Sequence, residues 1–179
     1  MSIHGTHRLS PGRGRLLVRT ARSGAAAKAG HDLLIEVSSW EATLTLAEDP
    51  AACALELSAD ADSLTVLEGT GGMMELGDDD RASIRQTIHD EVLGGAPIEF
   101  RSSAVSPSGE LAWMVAGELT LAGRSAAAAF ELRAGEDGRL AASATVAQTD
   151  FGIKPYSTLF GALKVADEVV ISFESLPLG

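Results

Sequence analysis

Residues 111–147 read LAWMVAGELTLAGRSAAAAFELRAGEDGRLAASATVA, and the spacing of apolar side chains in this stretch decides the fold class. Trp113, Val115 and Leu119 share one parity, as do Ala126, Ala128, Phe130 and Leu132, and then Leu140, Ala142, Ala144 and Val146. A period of two puts each set on one face of a strand, whereas a helix needs a period near 3.6. GEDG at 135–138 supplies the residues of a tight turn between the second and third runs. The stretch therefore predicts antiparallel strands joined by hairpins.

The same alternation extends outward through RLLVRTA (15–21), HDLLIEV (31–37), WEATLTL (40–46), CALELSADA (53–61), APIEFRSSAV (96–105) and EVVISFE (168–174), with SPSG at 106–109 as a further turn. This many short strands in one domain leaves a sandwich or a closed barrel. One segment breaks the period. In GDDDRASIRQTIHDEVLGG, Ile84, Ile88 and Val92 recur every four residues, acids crowd the start and glycines follow the end, which predicts one amphipathic helix near 79–93. Before it, EGTGGMMELGDDD (68–80) reads as a glycine-rich connection carrying Met73 and Met74, either a flap over the barrel mouth or a loop packed on the barrel's outside. Residues 1–13, rich in glycine and basic side chains, are expected to be a flexible tail ahead of a single domain over 14–179.

The chain has 179 residues, 45% hydrophobic, with a formal net charge of −11 and a pI near 4.7. Strong negative charge argues against nucleic acid as a partner and against anionic lipid surfaces, since both are gripped through Lys and Arg. A single cysteine, Cys53, forms no internal disulfide. No apolar run is long enough to span a bilayer, and the N-terminus lacks the apolar core of a secretion signal, so a soluble cytoplasmic protein is expected.

Taking the apolar register as inward places Leu33, Ile35, Leu44, Leu55, Leu57, Phe100, Trp113, Val115 and Leu119 inside, together with small residues such as Ser102, Ala104, Ala128 and Ala144. Those small side chains either let two flattened sheets close tightly or leave an apolar void for one ligand. The catalytic constellations are poor. His31 and Asp32 are adjacent in a strand and point to opposite faces, Cys53 has no evident base, and no catalytic residues are assigned. His4 and His7 lack further ligands for a metal, and Asp78, Asp79 and Asp80 are explained by the helix dipole, so neither metal nor cofactor is expected.

In order along the chain, AGHDLLIEVSSWEATL (29–44), DRASIRQTIHDEVLGGAPIEFRSS (80–103), GELTLAGRS (117–125), QTDFGIKPYS (148–157) and KVADEVVISFE (164–174) resemble the YceI-like family of lipocalin-like barrels. At the hairpin where that family commonly has histidine, arginine and proline, this chain has Ala122, Ala126 and Ala127. The resemblance implies an antiparallel lipocalin-like β-barrel, non-catalytic binding of an elongated apolar molecule such as a polyisoprenoid or fatty acyl lipid, and possible homodimerisation. It puts TDFGIKPYSTLFG (149–161) near the barrel mouth, with Phe151, Tyr156 and Phe160 as an apolar lip. His31, Asp32, Asp150 and Lys154 are then candidates for contact with a polar head group. The rivals are a structural or stress-related interaction module with a filled core, and an enzyme acting on an apolar substrate.

Overall fold

Pairing among the alternating runs curls them into one wall. The structure, a computed structural model, describes residues 3–178. Its strands are β1 (Gly5–Leu9), β2 (Gly14–Thr20), β3 (Arg22–Ser23), β4 (His31–Val37), β5 (Trp40–Leu46), β6 (Ala54–Ala59), β7 (Leu64–Gly71), β8 (Ile98–Gly109), β9 (Ala112–Leu121), β10 (Arg124–Ala134), β11 (Leu140–Ala147), β12 (Ser157–Thr158), β13 (Leu163–Val165) and β14 (Glu168–Ser175). Eleven of them form one antiparallel sheet in the order β1-β5-β6-β8-β9-β10-β11-β14-β2-β4-β7, and β12, β13 and β3 form a small second sheet. The chain is all-β with one helix, α1 (Asp78–Thr87), which continues as a π-helical turn over Ile88–Val92.

The large sheet is a curled half-barrel. Its edge strands β1 and β7 share no ladder, and the two sides are stitched through the β4–β5 and β6–β7 connections instead. Ser38 N–H donates to Ser63 O at 2.9 Å, its hydroxyl donates to the same carbonyl at 3.0 Å, and Asp60 N–H donates to Ser39 O at 3.0 Å. Ser63 is itself buried, and its hydroxyl donates to Ser39 O and Asp60 O. The helix lies over β7. Arg81 Nη1 donates to Val66 O at 3.0 Å and Leu67 O at 2.5 Å, and Arg85 donates from Nε and Nη2 to Asp62 O.

Several expectations are corrected. Within the expected tail, Gly5–Leu9 forms β1, paired from Gly5↔Leu46 to Leu9↔Ala42, because Leu9 is buried in the core; Met1 and Ser2 lie outside the described residues. The strand β7 extends through Gly71, into what reads as a glycine-rich connection, because β4 supplies its pairing as far as His31↔Gly71. SPSG does not turn the chain. The strand β8 runs on to Gly109, and a bulge between Ser102 and Ala104 shifts its register by one, so Val105 is buried where Ala104 was expected. A one-residue slip exchanges the two faces of a strand.

Candidate apolar-ligand site

Most of the inward register lines a cavity of about 160 Å³ inside the half-barrel. Leu44, Leu55, Leu57, Phe100, Leu119, Ala128 and Ala144 all face it, along with Trp40, Phe130 and Phe173. Its existence follows from side-chain size. On β10 and β11 the inward residues include Ala128, Ala142 and Ala144, across from Ala42 and Ala59 on β5 and β6. Opposite Ala128, Gly117 leaves room for the Phe100 ring, whose Cζ would stand 2.8 Å from a Cβ at that position. Phe100 and Phe130 then pack ring to ring at 5.5 Å, and Trp40 meets Phe173 edge to face at 5.7 Å. These aromatic pairs brace the walls, while the alanines leave the middle empty.

Beyond it lies a second cavity of about 420 Å³, between the sheet and the helix. The helix contributes Ile84, Ile88 and Val92, the apolar stripe of its sequence, and the sheet contributes Leu33, Ile35, Leu121 and Val169. Val18, Leu64, Ile98 and Ile171 line both chambers and form the partition between them. No charged residue lines the inner chamber. In the outer one Asp80 is the sole ionisable carboxylate, and it accepts from Gly77 N–H at 2.9 Å as a helix-capping group. Among the described residues no group of three His, Cys, Asp or Glu is placed to hold a metal ion.

The segment TDFGIKPYSTLFG (149–161) does something other than ring a mouth. Phe151, at the end of a 3-10 turn over Gln148–Phe151, is fully buried and lines neither chamber. Gly152 leaves that turn at φ 68°, a left-handed conformation that favours glycine, and Ile153 then turns in to the outer chamber. Tyr156 is half-exposed at its rim, whereas Phe160 is fully exposed. Trp113 and Val115 are buried but close the core away from both cavities.

None of the four head-group candidates lines a chamber. His31 Nε2 bonds to Met74 O at 2.6 Å, and Asp32 accepts from Arg22 N–H at 2.8 Å, so both are occupied in tying β4 to its neighbours. Asp150 is exposed on the 3-10 turn, and Lys154 lies in a surface groove with Phe160 and Lys164. The titration behaviour stands equally apart. His89 is raised by its hydrogen bond to Asp90, and Asp90 is lowered by the same bond, on the outer side of the helix.

The YceI-like domain family matches residues 18–175. The chain belongs to that family. Among solved structures, Burkholderia cenocepacia BcnA superposes with a TM-score of 0.62 at 17% identity, covering 90% of this chain and 94% of that one. The Campylobacter jejuni YceI protein gives a TM-score of 0.50 at 14% identity, covering 77% of this chain and 81% of its own. At such identities the likeness is one of fold. No curated protein sequence matches the chain. Trp40 and the partition residues escaped the sequence reading as site residues. Trp40 stands in the inward register of WEATLTL, but nothing in a sequence says which inward side chains border a void.

Proposed function

We propose that this YceI-like protein carries an elongated apolar molecule, a polyisoprenoid or fatty acyl lipid, without altering it. The observation that supports this most is the inner chamber itself, about 160 Å³ inside the half-barrel and free of charged side chains. An apolar void of about that size stays dry and takes up apolar guests, because water there finds too few partners. With the outer chamber beyond a partition of four aliphatic side chains, the available length suits a chain more than a compact molecule. The absence of any basic group among the lining residues favours a ligand whose enclosed part is uncharged, since a buried carboxylate or phosphate without a partner is heavily penalised. A non-catalytic role fits the same lining, and the cytoplasm is the location we assign on the single unpaired cysteine. Among the described residues no helix is long and apolar enough to cross a membrane.

Native mass spectrometry followed by organic extraction tests this. A gently purified sample should carry a species of lipid mass, or acquire one on incubation with a polyprenol or a fatty acyl ester. Protein that runs only at its apo mass in both cases refutes the carrier reading and leaves the structural module.

A further inference from the structure

One buried polar group, in a residue that borders the inner chamber, lacks a partner. Trp40 lines that chamber and is 6% exposed, yet its indole Nε1 has no hydrogen-bond partner, alone among the buried side-chain polar atoms of the described residues. Indole N–H is a donor only, and buried donors are nearly always satisfied. The ring cannot easily turn away to find one, because it packs edge to face on Phe173 at 87° and sits at the start of β5, paired with Ala59. Ser143 and Ser172 also border the cavity, but each lies between inward neighbours on its strand, so its hydroxyl faces outward.

We infer that Trp40 Nε1–H is the hydrogen-bond donor for the cargo, and that the enclosed part of the cargo bears an uncharged oxygen acceptor such as a ketone or ester carbonyl. This rests on the carrier reading and narrows it, since a plain hydrocarbon would leave the donor orphaned and an ionised head would find no cation. The probes are a long-chain methyl ketone and the matching n-alkane. In Trp40→Phe, which keeps an aromatic ring, affinity for the ketone should fall about five- to tenfold while alkane affinity holds. The apo melting temperature should stay level or rise. In the unaltered protein, which has two tryptophans, the Trp40 indole proton signal should shift with ketone and not with alkane. Equal losses for both probes, or an indole signal indifferent to the ketone, would refute the assignment while leaving carriage intact. If neither probe binds the unaltered protein, both readings fall.

A separate observation concerns the surface. The chain has three lysines, and all three belong to one corner. Lys154 and Lys164 line a groove with Phe160; Lys28 stands in a 3-10 turn over Ala27–Ala29 that is tied to the same corner by Ala26 N–H donating to Ala162 O at 2.8 Å. At the tip, Leu159 and Phe160 hold φ values of 51° and 54°, and both side chains are exposed. Bulky residues adopt that conformation rarely, and it presents the pair outward. Asp167 shares the groove, but its carboxylate accepts from Thr149 N–H and Oγ1–H. Val165 lines both this groove and the outer chamber.

We further infer that this corner docks the protein on an anionic lipid surface, with Leu159 and Phe160 entering the interface and the lysines meeting the head groups, despite the net charge of −11. Co-sedimentation with phosphatidylcholine vesicles, with and without phosphatidylglycerol, tests it. Binding should require phosphatidylglycerol, weaken with salt, and drop severalfold in Phe160→Ser and in the double variant Lys154→Gln with Lys164→Gln. Absence of binding, or binding that these changes leave untouched, would overturn it. A concentration-dependent dimer abolished by Phe160→Ser would overturn it too, by giving the tip to a second copy of the chain.

Discussion

Filling the inner chamber with protein is the most direct test of whether it is a void. Ala144 lies on β11 opposite Ile171, partly buried and facing the cavity, and Ala144→Phe would push a ring into about 160 Å³ of space. At roughly 24 cal/mol per Å³ of cavity, the unfilled space represents about 4 kcal/mol of packing not made. A fully buried ring recovers about 1.5–3 kcal/mol, from which strain at the new rotamer subtracts. The net expectation is zero to about 2 kcal/mol of stabilisation, which at about 2–4 °C per kcal/mol leaves the melting temperature unchanged or several degrees higher. Uptake of a polyprenol, measured by native mass spectrometry, should be largely lost. Ala127→Phe is the control, since Ala127 is exposed on the outer face of β10 and its variant should bind normally. A filled core predicts the reverse, an overpacking cost of about 1–3 kcal/mol. A melting temperature lowered by several degrees with uptake retained would refute the reasoning from cavity to cargo.

Other substitutions probe the frame around the site. Gly117→Ala would set its Cβ 2.3 Å from Arg101 O and 2.7 Å from Ser102 Cα, backbone that cannot step aside, so denaturant unfolding should show a loss of roughly 1–3 kcal/mol. Arg81→Ala removes the donor to Val66 O and Leu67 O and should cost about 1–2 kcal/mol, with faster amide exchange confined to the helix and β7. His89 should titrate above 6.5 by NMR and return toward it in Asp90→Asn. Because its folded value is raised, the pair's contribution is complete below the unfolded histidine value and fades as pH rises through the folded one. The lowered Asp90 adds the opposite limit, a contribution lost as pH falls through its depressed value.

The strands were legible wherever side chains alternate, because the pleat enforces the period. The strand β7 was not, since Glu68-Gly69-Thr70-Gly71 carries no apolar alternation and is held in the sheet by pairing with residues 31–34. The strand β1 hides for a similar reason. His7 and Arg8 give it a polar look, and only Leu9 reaches the core. Small inward residues allowed either a tight closure or a void, and only the packed walls decide for the inner chamber, although most of its lining follows from register. The outer chamber was invisible, because it lies between the helix and strands distant in sequence, and its walls exist only once α1 has docked. His31 and Asp32 line neither chamber, and each side chain is bonded to backbone, His31 to Met74 O and Asp32 to Arg22 N–H, partners distant enough in sequence to be unreadable from it.

The hold of Arg81 on β7 has a consequence for the life of the protein among its own copies. A half-barrel keeps two raw sheet edges, and an edge carbonyl row is a template on which another chain's strand can grow. By occupying Val66 O and Leu67 O beside a bulge, one guanidinium denies that row to strangers, and the helix behind it covers the approach. The helix over the outer chamber therefore also covers a sheet edge on which another chain's strand could grow, and any motion that lifted it would uncover that edge.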